Sequence, residues 1–292
     1  MLETFTPMQV KTNDGGSIHL QKKGNGYPLL LLHGYPETHV TWHKIAPRLA
    51  ETFTVVLADL RGYGDSSKPK GKSDHSNYSK RVMAQDMVDV MRQLGYNEFY
   101  VAGHDRGARV THRLVLDHPD RIKKVAVLAI APTYKMYMTT DKAFATSYFH
   151  WFFLIQPLDF PEHMIEAQPE YFLRNHLERE SADPKVFSPE AVDEYVRCFR
   201  DPASIHGSCE DYRASTDIDL RDDEADMHQK VRCPLLALWG SKSFVGKHYD
   251  VLATWCERAE NVQGYALPAG HYLPEEVPEE TYQALHTFFL GS

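Results

Sequence analysis

Cysteine is scarce, with 4 in 292 residues, and Cys198, Cys209, Cys233 and Cys256 lie far apart with no C-x-x-C pair. Neither a zinc knuckle nor a dithiol redox motif is written here, and all four are expected to be reduced thiols. Long apolar runs are missing too. The longest, residues 125–131, falls well short of the roughly 20 residues that cross a bilayer, so no membrane span is predicted. Residues 1–21 mix Glu3, Lys11, Asp14 and Ser17 with isolated apolar residues, without the basic start and apolar stretch of a signal peptide, and the expected location is cytoplasmic. Positive charge is in deficit, 32 Lys plus Arg against 40 Asp plus Glu, a net −8 that disfavours nucleic acid and anionic lipid as partners. A small anionic ligand stays open, because salt screens the overall field beyond about 8–10 Å and local arginines then decide. No internal repeat or low-complexity tract occurs.

What is present is an alternation. Apolar, β-branched blocks at 28–32, 54–58, 99–102, 122–130 and 234–239 read as short buried strands. Between them, 38–50, 78–94 and 108–118 carry apolar residues at helical spacing. Fully apolar strands alternating with helices predict an α/β fold, a mostly parallel sheet covered on both faces. The alternation stops after Pro132 and resumes at Val231, with Tyr148, Phe149, Trp151, Phe152 and Phe153 crowded in between. The expected organisation is a core of residues 1–132 and 224–292 with a helical cap, 133–223, inserted over the C-terminal ends of the strands, where α/β sheets bind ligands.

The block at 99–102 runs into Gly103-His104-Asp105-Arg106-Gly107, and a helix follows at once. Glycines on both sides of a central residue allow a tight strand-turn-helix elbow that lifts that residue's side chain above the sheet. Here the residue is Asp105. A carboxylate there can attack an electrophilic sp³ carbon and form an ester that water later cleaves; the plain alternative is an Asp that only caps the helix. The loop His33-Gly34-Tyr35-Pro36 is placed to aim the Tyr35 N–H at the elbow, and with the Arg106 N–H it would form an oxyanion hole. His271, in Pro268-Ala269-Gly270-His271, comes after the last short apolar stretch and before a terminal helix expected from about Val277. The order nucleophile, insert, histidine is that of α/β hydrolases.

Over nearly its whole length the sequence resembles the α/β-hydrolase fold dehalogenases, most closely the fluoroacetate (haloacetate) dehalogenases. HGYPE at 33–37, DLRGYGDSSKP at 59–69, GHDRGAR at 103–109, YFHW at 148–151, CEDYRA at 209–214 and GHYLPEE at 270–276 carry the resemblance. It implies Asp105 as nucleophile, His271 as base, Arg106 and Arg109 as a clamp on the substrate carboxylate, and His150, Trp151 and Tyr212 as the halide pocket. It implies no cofactor, a small haloacid as substrate, and room for a homodimer. Two guanidiniums three residues apart can grip a carboxylate and turn its α-carbon to Asp105, and three donors can stabilise a departing halide.

The pattern breaks at the acid that should orient His271. Ala129 occupies the position after the strand preceding the insert, and Ser243 stands at the other usual place, in Trp239-Gly240-Ser241-Lys242-Ser243. Epoxide hydrolysis, which also uses an Asp nucleophile but has no use for paired arginines, and non-catalytic carboxylate binding are the alternatives. The 16 His residues show no H-E-x-x-H spacing, so no metal is predicted. His39, His43, His112 and His118 read as surface or cap residues, and Gly62 and Gly64 lack the remainder of a dinucleotide fingerprint.

Overall fold

The computed structural model describes residues 1–291. Eight strands form one sheet: β1 (Thr6–Lys11), β2 (Ser17–Lys23), β3 (Pro28–Leu32), β4 (Thr54–Ala58), β5 (Phe99–His104), β6 (Ile122–Leu128), β7 (Leu235–Gly240) and β8 (Val262–Leu267). Their order is β1-β2-β4-β3-β5-β6-β7-β8. β2 is antiparallel to β1 and β4, and every pairing from β4 to β8 is parallel. All five residues of β3 and of β4 are buried, as a sheet covered on both faces requires. Side chains alternate across a strand, so Leu30, Leu32 and Val56 join one apolar layer while Leu29, Leu31 and Val55 join the other.

The isolated apolar residues of 1–21 lie in a β1–β2 hairpin that the alternation of strands and helices did not predict. Met8 faces Leu20 and Val10 faces Ile18 across it. Gly15, at φ 88°, makes the turn, and the Thr12 N–H donates to the Gly16 carbonyl at 3.0 Å. The helix expected at 38–50 is two short pieces, His39–Trp42 and Ala46–Leu49. Pro47 has no N–H to continue a helix from upstream and sits instead in a first turn. β6 ends at Leu128, two residues early, because Ala129 turns into the left-handed region at φ 64°.

The chain leaves the sheet after β6 and returns at β7. Eight α-helices, from Thr133–Met138 to Ile218–Ala225, and one short 3-10 helix, Pro184–Val186, lie between. Among the described residues no helix is long and apolar enough to cross a membrane. His39 and His112 are buried rather than superficial. His39 Nδ1 lies 2.8 Å from Asp59, and the His112 ring meets Trp255 edge-on.

Candidate active site

β5 delivers His104 and the helix Arg106–Asp117 starts two residues later, leaving Asp105 alone in the turn at φ 46°, ψ −113°. Such a backbone costs about 1–3 kcal/mol and persists only where the surroundings enforce it. They do so by close approach. A Cβ on Gly103 would strike the Gly107 carbonyl, one on Gly107 would strike the His33 carbonyl, and one on Gly34 would come within 2.7 Å of the Asp105 Cβ. The loop facing the elbow is fixed through His33, whose Nδ1 lies 2.8 Å from the Gly34 carbonyl and whose Nε2 accepts from the Leu60 N–H. The Tyr35 N–H then donates to Asp105 Oδ2 at 3.0 Å. Burial opposes charge on Asp105, but His271, Arg109 and Arg106 outweigh it and hold its pKa at about 2. The carboxylate is ionised, with Oδ2 tied to an amide and Oδ1 turned elsewhere.

Oδ1 faces His271, whose Nε2 is 3.8 Å away. Burial, then His104, lowers the pKa of His271 to about 3, so the ring is a neutral imidazole. Its other nitrogen, Nδ1, is buried and meets no hydrogen-bond partner. Ala129 offers only a methyl group. Ser243 is committed elsewhere: its Oγ donates to the Gly240 carbonyl at 2.8 Å and accepts from the Gly246 N–H, capping a short helix.

Arg106 and Arg109 are both buried, but they differ. Arg106 Nε and Nη2 donate to the two Asp211 carboxylate oxygens at 2.9 and 2.8 Å, and Nη2 also reaches Ser215. Only Nη1 is left without a partner. Arg109 has no carboxylate of its own; Nη1 donates to Thr133 at 2.9 Å while Nε is unpartnered. Each guanidinium covers an aromatic face, Arg106 over Tyr212 at 4.1 Å and Arg109 over Trp151 at 4.7 Å. His150 lies 5.8 Å from the Tyr212 ring, and Trp151 lies 6.4 Å from it. The Trp151 indole N–H is buried and unpartnered. The structure thus gathers Asp105, Tyr35, Arg106, Arg109, His150, Trp151, Tyr212 and His271 around one point. Two free guanidinium nitrogens, a free indole N–H and a carboxylate nucleophile can hold an anion and attack a carbon attached to it.

The α/β hydrolase fold family's sequence profile matches residues 27–278. This chain belongs to the α/β-hydrolase fold family. The hydrolase is 44% identical over 289 residues to a fluoroacetate dehalogenase from Burkholderia sp, covering 99% of this chain and 95% of that protein. It is 35% identical over 283 residues to a soluble epoxide hydrolase from Corynebacterium sp. (strain C12), covering 94% of each. Among solved structures, an α/β hydrolase from Nostoc sp PCC 7120 is 62% identical, with a TM-score of 0.99 over 100% of both chains.

Three residues of the hydrolase's site escaped the sequence reading. Asp211, which fixes Arg106, is the neighbour of Tyr212 and was legible only as part of CEDYRA. Glu180 and His176 come from the helix Pro169–Glu180, which carries no motif. Ligand atoms of His150, His176 and Glu180 lie within 4.8 Å of one another, a spacing that a divalent metal could use, and no linear motif announces it because two helices supply the three residues. A cavity of about 360 Å³, lined by Tyr148, Glu180, Ser243 and His271, is rimmed by Arg179, Lys242 and Lys247.

Proposed function

We propose that this hydrolase dehalogenates short 2-haloacids such as fluoroacetate, giving the 2-hydroxyacid and halide through an Asp105 ester. The observation that carries the reading is the pair of guanidiniums beside Asp105, each pressed on a ring of the aromatic cluster and each with one unpartnered buried nitrogen. Arg106 is already paired with Asp211, but Arg109 hydrogen-bonds no carboxylate, and burying that cation is costly unless an anion meets it, which an epoxide would not.

Arg106 Nη1 and Arg109 Nε take the substrate carboxylate and turn its α-carbon to Asp105 Oδ1. Oδ1 attacks that carbon, the carbon–halogen bond breaks, and the halide leaves with the electron pair toward His150, Trp151 and Tyr212. In the closed pocket their donors offset its developing charge. Asp105 Oδ2 becomes the ester carbonyl oxygen, already against the Tyr35 N–H. Water then adds to the Asp105 carbonyl carbon and His271 Nε2 takes its proton; the tetrahedral intermediate then breaks its bond to the alkoxy oxygen, which takes that proton back from His271 and leaves as the 2-hydroxyacid. The helices between β6 and β7 act as the lid that keeps bulk water from the halide. No step requires a cofactor.

A single turnover in oxygen-18 water tests this. The label should enter Asp105, with the first product molecule unlabelled; label appearing at once in the product would rule out the ester.

A further inference from the structure

His271 must become an imidazolium when the ester is hydrolysed, yet its Nδ1 has no partner and neither Ala129 nor Ser243 can supply one. One further carboxylate faces the ring. Glu180, the last residue of the helix Pro169–Glu180, places Oε2 at 3.8 Å from His271 Nε2, the nitrogen that faces Asp105 Oδ1 at the same distance. The backbone ties the two residues together, since the His271 N–H donates to the Glu180 carbonyl at 2.9 Å. The contact is tight: a Cβ on Gly270 would come within 2.7 Å of that carbonyl and 2.5 Å of the Ala182 nitrogen. The Glu276 carboxylate clamps the same junction, accepting from the Gly270, Tyr272 and Ala182 N–H groups at 2.8, 3.0 and 2.9 Å.

Glu180 is not half of an ordinary salt bridge. The neighbouring Arg179 lies over the Phe149 ring at 4.6 Å, and the carboxylate faces imidazoles instead: His150 Nδ1 at 3.7 Å, His176 Nε2 at 4.0 Å and His271. We propose that Glu180 is the carboxylate that stabilises the His271 imidazolium during hydrolysis of the Asp105 ester. This rests on the dehalogenase reading above. In the free enzyme Asp105 is itself an anion beside His271 Nε2, but the ester is neutral, and Glu180 is then the carboxyl group at that nitrogen that can still carry a negative charge. The attacking water gives its proton to His271 Nε2 and its oxygen to the Asp105 carbonyl carbon, and the resulting cation sits against Glu180. Glu180 is a positioning residue, acting through His271.

The test follows the ester by rapid quench and intact-protein mass spectrometry after mixing with fluoroacetate. Glu180→Gln should form the ester at a rate no lower than the parent's and hydrolyse it at least tenfold more slowly, so that the adduct accumulates. Adding Ala129→Asp to Glu180→Gln, which restores a partner for Nδ1, should recover most of the lost rate, and Glu180→Asp should retain part of it. Equal ester lifetimes in Glu180→Gln and the parent would overturn the proposal while leaving the dehalogenase reading intact. So would slowing of both half-reactions without rescue, which marks a purely structural role. If the parent yields neither halide nor adduct, both readings fall.

Discussion

Asp211 holds Arg106 through two parallel hydrogen bonds of 2.9 and 2.8 Å, so that one face of the guanidinium belongs to the protein and one nitrogen to whatever the site binds. Asp211 is itself fixed by Lys80 and by the Tyr63 hydroxyl at 2.6 Å. The two arginines therefore differ: Arg106 is fixed by a carboxylate, whereas Arg109 rests on Thr133, Met136 and the Trp151 face.

The first prediction uses that asymmetry. Asp211→Asn strands Arg106 in a buried site and leaves Lys80 with Asp219 alone, at 3.5 Å, and should cost about 3–5 kcal/mol in denaturant unfolding, with a rise in KM for haloacetate. Arg109→Leu removes no hydrogen-bond partner from any carboxylate, so stability should change far less. It still deletes a charge-assisted bond worth about 1.5–3 kcal/mol, and affinity should fall at least tenfold. Haloacetamide turned over as well as haloacetate would sink the clamp assignment.

Ala129 carries the second. Its φ of 64° is a conformation that Asp and Asn adopt more readily than Ala. Ala129→Asp should therefore be accepted by the backbone and give His271 Nδ1 an acceptor, fixing the tautomer that leaves Nε2 free. Steady-state halide release should rise at least tenfold, and the gain should be larger still in the Glu180→Gln background. In a serine triad the corresponding Asp-to-Asn change costs about 10⁴ in kcat, which sets the upper scale. Unchanged halide release would mean that the acid is not what limits turnover.

Charge at the cavity mouth gives the third. In a chain of net charge −8, the exposed residues Arg179, Lys242 and Lys247 place a local positive patch on the cavity that reaches His271. Reversing two of them, Lys242→Glu with Lys247→Glu, should lower kcat/KM for haloacetate several-fold at low ionic strength without altering kcat. The difference should shrink in about 0.5 M salt, because steering by exposed charges is screened. A salt-independent effect would point to direct contact instead.

The fourth concerns pH. Burial lowers the pKa of His176 to about 4 from its ordinary 6.5. The unfolded chain thus binds a proton at this residue between pH 6.5 and 4 that the folded chain does not, so stability from His176 is complete above pH 6.5 and lost as pH falls toward 4. Asn does not titrate. The melting temperature of the parent relative to His176→Asn should therefore fall by several degrees between pH 7 and pH 4.5. A difference constant across that range would show that His176 keeps its ordinary pKa in the folded chain.

Local signals told the fold class and the elbow from sequence alone. Fully apolar strands of five residues and glycines at 103 and 107 act through contacts within a few residues of each other, or through a burial pattern that any covered sheet imposes. The β1–β2 hairpin was legible in principle, from Met8, Val10, Ile18 and Leu20 alternating about a Gly-Gly turn, but its polar outward residues masked the period. Tertiary structure alone decided the rest. Glu180 reaches His271 across 91 positions of sequence and Arg106 reaches Asp211 across 105, and no spacing rule covers such distances. The sequence named two positions where an acid is absent; only packing the helix Pro169–Glu180 against the His271 loop could show which carboxylate lies beside the imidazole. The physical reason is that a nucleophile's strained turn is built by its own neighbours, whereas the charge that balances a buried imidazole can come from any element that burial brings within about 4 Å of it.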